Sequence, residues 1–433
     1  MDSMEQQDRA CTNRNFEGDA PESLDESLFV TTLIPIKLID SSDRVIWCNR
    51  TPQSVRFCRP IKIEFIKETK NQILAEKANL DSQIKSLTPL EYNLNGGYIT
   101  VSYDLHMTLI DGKVLNVLTG TNSNQCCPVC GAKPKDFLAT KDLKSSVFKK
   151  KPGALQYGVS PLHAWIRFLE FVLKISYRID IKKWQVRDAI DKLSMRTRKQ
   201  KIQKQLWEEM GLHVDKPKQN GCGSTNDGNT ARRAFTNTET LASILEFDIE
   251  ILKNLYFILI SISCEYQINA EKFEIFYSKT ALLYMEKYSW FPMSATVHKI
   301  LVQGSEIIRA SVVPDGCLGE NAAEARNKFY KKDRNAHARK SSRAYNFSDV
   351  FHRSMDSSDP LISRLHINKR KNKQIKKMLP QEVVALLEAP EIAITPEAPT
   401  DEDEDRLSDD DEMADLDIFN DYSIDLDVNE DME

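Results

Sequence analysis

The sequence predicts an α+β protein, and three features support that prediction. Short apolar runs separated by turn residues occupy residues 28–120, which is typical of a strand-rich unit. Beyond Gly158 the apolar residues recur almost throughout at helical spacing. Residues 401–433 hold 17 Asp and Glu against one Arg, which predicts a disordered acidic tail.

The strand-rich unit is predicted to contain strands at 28–39 and 61–66, followed by a helix at 67–87. In that helix Ile73 and Leu80 belong to one apolar stripe. The pair Asp111-Gly112 predicts a hairpin between strands 97–110 and 113–118, because both turn residues tolerate positive φ.

The helical part begins with a predicted helix over residues 161–177, and a long basic helix follows at 182–210. Two further helices are predicted at 236–264 and 270–290, of which the first is apolar enough to be buried. A shorter helix at 296–310 precedes a glycine-containing turn and the helix that carries Glu324. These runs predict a mostly helical second half.

The net charge of -5 hides an uneven distribution of charge. Outside the acidic tail the chain has 58 Lys and Arg against 47 Asp and Glu, a net charge of +11, which favours a polyanionic partner. No apolar run approaches the ~20 residues of a membrane span. The polar N-terminus, 1–27, predicts a disordered segment rather than a signal peptide, and the nine cysteines then indicate a reducing compartment.

Only three cysteines cluster, in Cys126-Cys127-Pro128-Val129-Cys130-Gly131. This pattern is typical of a zinc knuckle, in which a turn points Cys127 and Cys130 at one tetrahedral metal. The pair supplies half of a site. A redox CxxC and a pair of buried, inert cysteines are the alternatives, and spacing alone favours the inert pair almost as strongly.

Basic residues are concentrated in two further places. Glu324 is followed at once by lysines and arginines, a combination suited to a metal-dependent phosphoryl-transfer site, although in isolation the pattern favours a solvated helix with i,i+4 ion pairs. The run Lys369-Arg370-Lys371 predicts a nuclear-targeting signal or a nucleic-acid patch, with a solvated linker as the alternative. Residues 415–427 alternate acids with apolar residues, which predicts a segment that binds a protein partner.

Five motifs together resemble the catalytic core of the V(D)J recombinase large subunit and of the Transib-type DNA transposases. They are the Cys127–Cys130 pair, Leu162-His163, the run 227–233, the segment 298–308, and Glu324 with Asn327-Lys328. The resemblance covers residues 29–355 approximately, and it rests on the order of the motifs rather than on any single one.

The resemblance implies an RNase H-like fold with a helical, zinc-containing insertion. It also implies double-stranded DNA as a partner, a location in the nucleus and a homodimer. The corresponding division of the chain is a disordered N-terminus (1–27), an incomplete RNase H-like unit (28–120), a zinc-knuckle and helical insertion (121–314), Glu-bearing helices of the catalytic core (315–356), a basic linker (357–394) and an acidic disordered tail (395–433).

Members of that family use three acidic residues to bind two divalent ions. The resemblance assigns the third acid to Glu324 and places Trp165, which cannot ligate a metal, at the second position. Asp8 lies at a suitable distance for the first, but too few residues precede it to form the strand that would present it. The resemblance therefore implies little or no strand-transfer chemistry, and Mg or Mn would be needed only if Asp8 and Glu170 still support cleavage.

The family completes the cysteine pair with two histidines. His298 matches the first, and Gln303 stands in place of the second, so the resemblance implies a weak structural zinc site with water or Cys126 as a fourth ligand. Without the resemblance, His298 is equally well an ordinary surface histidine. The cations expected to contact DNA phosphates are Arg196, Arg198, Lys199, Lys201, Arg232, Arg233, Arg326, Lys328, Lys331, Arg334, Lys369, Arg370 and Lys371.

The sequence therefore predicts a transposase-derived DNA-binding protein without competent nuclease chemistry. Three alternatives remain open: a residual metal-dependent nuclease, an interaction or transcription-type factor that acts through residues 401–433, and a degraded gene product that does not fold.

Overall fold

A computed structural model describes most of residues 28–389 and confirms that the protein is mixed α+β. The predicted disordered segments 1–27 and 395–433 lie outside the described residues. Those residues are 28–49, 52, 54–66, 68–94, 96–108, 110, 112–139, 142–217, 224–318, 321–359, 362 and 379–389.

The described strands form three separate antiparallel pairs and do not join into a larger sheet. In the first pair Val30 lies opposite Ile63, and the register shifts after Thr31, where Pro60 lacks the N–H that a regular ladder needs. The paired strands are β1 (Leu28–Leu33) with β4 (Arg59–Phe65), β2 (Lys37–Ile39) with β3 (Val45–Cys48), and β5 (Leu90–Leu94) with β6 (Gly97–Val101).

The hairpin predicted around Asp111-Gly112 is wrong. Residues Gly112–Leu118 form a helix, α2, because Val114, Leu115 and Leu118 share one helical face and pack in a small cluster near Ile73. The hairpin lies earlier, between β5 and β6, where Gly96 has a φ of +84°. The single strand predicted for 28–39 is likewise two strands, β1 and β2.

Helix α1 (Lys70–Ser86) exists as predicted, but it buries less than its apolar stripe suggested. Its buried side chains are Ile73 and Glu76, while Leu80 is only half-buried. Glu76 accepts hydrogen bonds from the Thr31 hydroxyl at 3.3 Å and from the Lys62 ammonium at 2.7 Å. A buried carboxylate with two donors therefore fixes this helix against β1 and β4.

The second half is helical, as predicted, with two differences at helix boundaries. The basic helix begins at Ala189 instead of 182, since Lys182 has a positive φ of 51°, and the helix predicted for 236–264 is broken where Glu246 has a φ of 52°. Within the described ranges every helix is too short or too polar to cross a membrane. The helices are α3 (Pro134–Ala139), α4 (Pro161–Ser176), α5 (Ala189–Met210), α6 (Gly228–Thr236), α7 (Thr238–Leu245), α8 (Ile249–Ser263), α9 (Ala270–Lys287), α10 (Ala295–Ala310), α11 (Asn321–Lys332), α12 (Arg343–Ser357) and α13 (Gln381–Val384).

The main hydrophobic core lies around α4 and includes Trp165. The Trp165 indole N–H donates to the Ser263 hydroxyl at 2.9 Å, and its ring meets Phe235 edge-on at 5.9 Å. Trp165 is therefore a packing residue of the core. Because the indole has an apolar ring and a satisfied donor, it stabilises this core without a metal.

Residues 379–389 belong to the fold, so the prediction of a linker over 357–394 is wrong for this part. Val383 and Leu387 are buried, and the Asn269 amide donates to the Leu386 carbonyl at 2.8 Å. Leu386 packs against the main core. This segment contains only four regularly spaced apolar residues. They are too few to predict a helix from the sequence next to the basic run that precedes them.

A smaller core joins the N-terminal strands to the C-terminal helices. Val30 on β1 packs with Tyr330 on α11 and Val350 on α12. Arg326 is 1% exposed in this region, where its guanidinium lies 5.7 Å from the Tyr330 ring and donates to Ser357 Oγ at 2.8 Å and to the Ser354 carbonyl. The prediction that Arg326 contacts DNA is therefore wrong, since its charge is used inside the protein.

We expect Arg326→Met to lower the free energy of unfolding by about 2–4 kcal/mol, because the buried Ser354 carbonyl and the Ser357 hydroxyl lose a charged donor. The matched control is Lys328→Met, two positions along α11, which removes an exposed charge and should change stability by less than about 0.5 kcal/mol. Urea denaturation followed by circular dichroism measures both. Equal effects of the two substitutions would contradict the assigned role of Arg326.

Candidate metal centre

The segment Cys127–Ala132 forms a tight turn that explains the Cys-Pro-x-Cys-Gly pattern. The Gly131 amide donates to the Cys127 carbonyl at 2.7 Å, and the Cys127 amide donates to the Ala132 carbonyl at 2.9 Å. Gly131 has a φ of +78°, which favours glycine because it has no Cβ. The turn thus holds both thiols on one side of the chain.

The other half of the site lies on α10, which begins after Ser294. The Ser294 hydroxyl caps the helix by accepting from the Val297 amide. His298 is 1% exposed and lies between two aromatic rings, stacked on Phe137 at 4.2 Å and edge-on to Phe148 at 4.6 Å. These contacts fix the imidazole next to the cysteine turn.

The two thiols and the imidazole converge on one point. One ligand atom each of Cys127, Cys130 and His298 lies within 4.8 Å of the other two. Neither ring nitrogen of His298 has a hydrogen-bond partner among the described residues. Burying polar nitrogens without partners is costly, and a bound metal would satisfy one of them. The alternative of an ordinary surface histidine is therefore wrong.

Two of the three groups in this cluster have pKa values that favour the metal-binding form, and the third, the Cys127 thiol, must lose its proton when a metal binds. A hydrogen bond from the Cys127 thiol lowers the pKa of Cys130 to about 6, while the same hydrogen bond, together with burial, raises the pKa of Cys127. Burial lowers the pKa of His298 to about 3, so its imidazole is neutral. Thiolate and neutral imidazole are the forms that bind metal.

The donor set fits zinc better than the hard cations. Two cysteine sulfurs and one imidazole are soft and borderline ligands, whereas Ca²⁺ and Mg²⁺ prefer oxygen. The three residues could therefore hold a metal ion that joins the cysteine turn to α10, far apart in the sequence. Cys126 is not a member of this cluster, which weakens its prediction as a fourth ligand.

Two residues of opposite charge, Lys299 and Asp315, are buried near the cluster. Lys299 follows His298 on α10, donates to the Gly158 carbonyl and is fully buried, so that burial lowers its pKa to about 8. Asp315 accepts from the Ser311 hydroxyl at 2.6 Å, and burial raises its pKa to about 6. Each charge favours the ionised form of the other.

The basic helix α5 supplies fewer exposed cations than predicted. Arg198 is buried, donates to the Ser176 carbonyl at 2.6 Å and is paired with Asp180 at 3.1 Å, so its prediction as a DNA contact is wrong. Lys199 pairs with Asp215 at 3.3 Å. Lys201, although exposed, lies 3.8 Å from Glu246. Arg196 is exposed and has no ion pair with a described residue.

The other predicted DNA contacts have different environments. Arg232 is half-buried with its guanidinium 5.9 Å from the Trp165 ring, and Arg233 donates to the Gly211 carbonyl at 3.4 Å. Lys328 is exposed, whereas Lys331 and Arg334 are half-buried. Lys369, Arg370 and Lys371 lie outside the described residues.

A basic segment that the prediction overlooked adjoins the cysteine turn. Residues 133–151 contain seven lysines and two aspartates, a net charge of +5. Lys133, Lys135 and Lys149 are exposed and have no ion pair with a residue in the described ranges. A count of charge in short windows along the sequence would have found this segment.

Of the acidic residues considered for a catalytic metal site, Glu170 alone has a described side chain. Glu170 is held by Arg167 at 2.9 Å and Lys174 at 3.3 Å on its own helix. Trp165 is buried in the core. Asp8 and the side chain of Glu324 lie outside the described residues, although the backbone of Glu324 is helical.

No protein-family model matches the chain, and no curated protein matches it significantly. The resemblance to the recombinase and transposase family therefore depends on the five motifs alone.

We expect the full-length protein to bind about one equivalent of zinc and Cys130→Ser to bind it much more weakly. Free zinc at about 100 times its Kd adds about 2.7 kcal/mol to the free energy of unfolding, so the wild-type protein should be stabilised and the variant should not. The matched control is Cys48→Ser, at an exposed cysteine outside the cluster, which should behave as wild type. A wild-type protein that gains no stability from zinc would contradict the assignment.

Proposed function

We propose that this protein is a zinc-stabilised, nuclear, DNA-binding relative of the recombinase and transposase family. The observation that carries the proposal is the buried cluster of Cys127, Cys130 and His298. It unites two of the motifs on which the resemblance rests, although 168 to 171 positions separate them. The spacing of residues within either motif does not by itself bring the three ligand atoms together.

The cluster also positions a basic surface. The lysine-rich segment 133–151 begins directly after the cysteine turn and returns to it, since the Lys151 amide donates to the Val129 carbonyl at 2.8 Å. Lys150 pairs with Glu306 on α10. A metal at the cluster would therefore hold exposed lysines in a fixed arrangement, which suits contacts to a phosphate backbone.

The charge of the chain supports the same partner. The net charge of +11 outside the tail is that of a body that attracts polyanions. Arg196 and Lys328 add exposed cations on α5 and α11. The acidic segment 401–433 would compete with DNA for these cations, because it carries the opposite charge on the same chain.

The proposal includes an RNase H-like ancestry for residues 28–120 and 315–356. What supports it is the packing of Val30 and Leu28 on β1 against Tyr330 and Val350, which brings the N-terminal strands beside the helix that carries Glu324. The proposal includes no strand-cleavage step, because Trp165 cannot bind a metal and Glu170 is engaged in ion pairs.

The experiment that tests this function compares duplex DNA binding of the full chain with that of Lys133→Ala/Lys135→Ala/Lys149→Ala. Each phosphate contact contributes about 0.9 to the slope of log K against log salt, so the triple variant should lower the slope by roughly 2–3. Fluorescence anisotropy at several salt concentrations measures it.

The control for this experiment is Lys37→Ala/Lys70→Ala/Lys85→Ala, which removes the same charge from exposed lysines of the N-terminal unit. If both triple variants lower the slope equally, the DNA contacts are not at the segment 133–151. Absence of binding by the wild-type chain at low salt would overturn the DNA-binding function. Mn²⁺-dependent nicking that disappears in Glu324→Gln would establish the nuclease alternative instead.

Removal of residues 401–433 should tighten DNA binding and increase its dependence on salt, because 17 competing carboxylates are lost. Anisotropy titrations of the full chain and of a chain that ends at residue 400 measure the difference. Unchanged DNA affinity, with loss of a protein partner on deletion, would favour the interaction-factor alternative.

A further inference from the structure

The cluster of Cys127, Cys130 and His298 supplies three ligands, whereas a structural zinc site is almost always closed by four. A fourth ligand would have to come from a group outside these three residues. The amide of Gln303 lies beside the cluster on the same helix as His298 and is 2% exposed.

The distance from Gln303 Oε1 to the sulfur of Cys127, one member of the cluster, fits a coordination geometry. The Cys127 sulfur lies 3.4 Å from Gln303 Oε1. A tetrahedral zinc with sulfur at about 2.3 Å and oxygen at about 2.1 Å places those two atoms roughly 3.6 Å apart. The carbonyl oxygen is therefore at the separation that two ligands of one zinc ion would have.

The orientation of the Gln303 side-chain amide also suits coordination through Oε1. Gln303 Nε2 donates to the Phe148 carbonyl at 3.3 Å, which leaves the other end of the amide, Oε1, facing the Cys127 sulfur. Phe148 also packs against the His298 ring. One residue thus positions two of the groups that face the metal, as partners outside the coordination sphere commonly do.

Charge balance favours a neutral fourth ligand. Two cysteine thiolates neutralise a divalent zinc ion. A carboxylate at position 303 would leave an extra negative charge in a buried site, which is unfavourable. An amide oxygen completes the coordination without that charge.

We propose that Gln303 is the fourth metal ligand, through Oε1, and that the site is a Cys-Cys-His-Gln centre. This inference rests on the metal site in the proposed function. An amide oxygen is a weaker donor for zinc than the imidazole that the resemblance places at this position. The centre should therefore bind zinc less tightly and exchange it faster than a site with two cysteines and two histidines.

The test uses full-length wild-type protein, Gln303→Leu, Gln303→His and Cys126→Ser. Cobalt(II) is the spectroscopic probe, because its visible absorption reports ligand type and coordination number, and zinc affinity is measured by competition with a chromophoric chelator. Gln303→Leu removes the oxygen, Gln303→His offers an imidazole, and Cys126→Ser removes the alternative cysteine.

We expect Gln303→Leu to weaken zinc binding at least tenfold, since loss of a group outside the coordination sphere already costs about 10–100-fold. Its cobalt spectrum should change, that of Gln303→His should change with tighter zinc binding, and Cys126→Ser should match wild type. The Gln303→His result keeps the test informative if Gln303→Leu folds poorly.

Two results would overturn the inference alone. A weakened Cys126→Ser with an unchanged Gln303→Leu would assign the fourth position to Cys126. Unchanged zinc affinity and cobalt spectra in all three variants would leave Gln303 outside the coordination sphere. A wild-type chain that binds neither metal would overturn the metal centre of the proposed function as well, which separates the two failures.

Discussion

The buried imidazole of His298 is the constraint on which the centre of this protein depends. An imidazole with two polar nitrogens, 1% exposed and without a partner among the described residues, is costly to bury, and a bound metal would reduce that cost. Phe137 and Phe148 provide the fixation, and Cys127 and Cys130 provide the other metal-binding atoms. The same point attaches the segment 133–151 to α10.

Burial separates the cations that stabilise the fold from those that are exposed on the surface. Arg198 and Arg326 occur in strongly basic stretches, yet each points inward and donates to a backbone carbonyl. Arg196 and Lys328 lie two positions away from them on the same helices and are exposed. Successive helical residues differ by about 100° in direction, so a basic helix alternates between structural and accessible cations. Net charge therefore indicates a partner, but not the residues that contact it.

The success of the fold prediction varied along the chain for a physical reason. Helices α4 and α10 were predicted with nearly correct ends because a long apolar stripe marks each of them. Around Asp111-Gly112 the local turn preference was overridden by the burial of Val114 and Leu115. The strand pairs β2–β3 and β5–β6 have mostly exposed side chains, so alternation did not define their faces.

The sequence by itself determined the α+β class, the helical second half, and the cysteine turn with its glycine, because local backbone geometry and periodicity encode these features. The resemblance added His298 as a candidate partner of that turn. Only the tertiary structure decided that His298 is buried beside both cysteines, that Gln303 faces them, and that Arg326 is structural. Those facts depend on contacts between segments far apart in the chain, and no local spacing specifies which groups packing brings together.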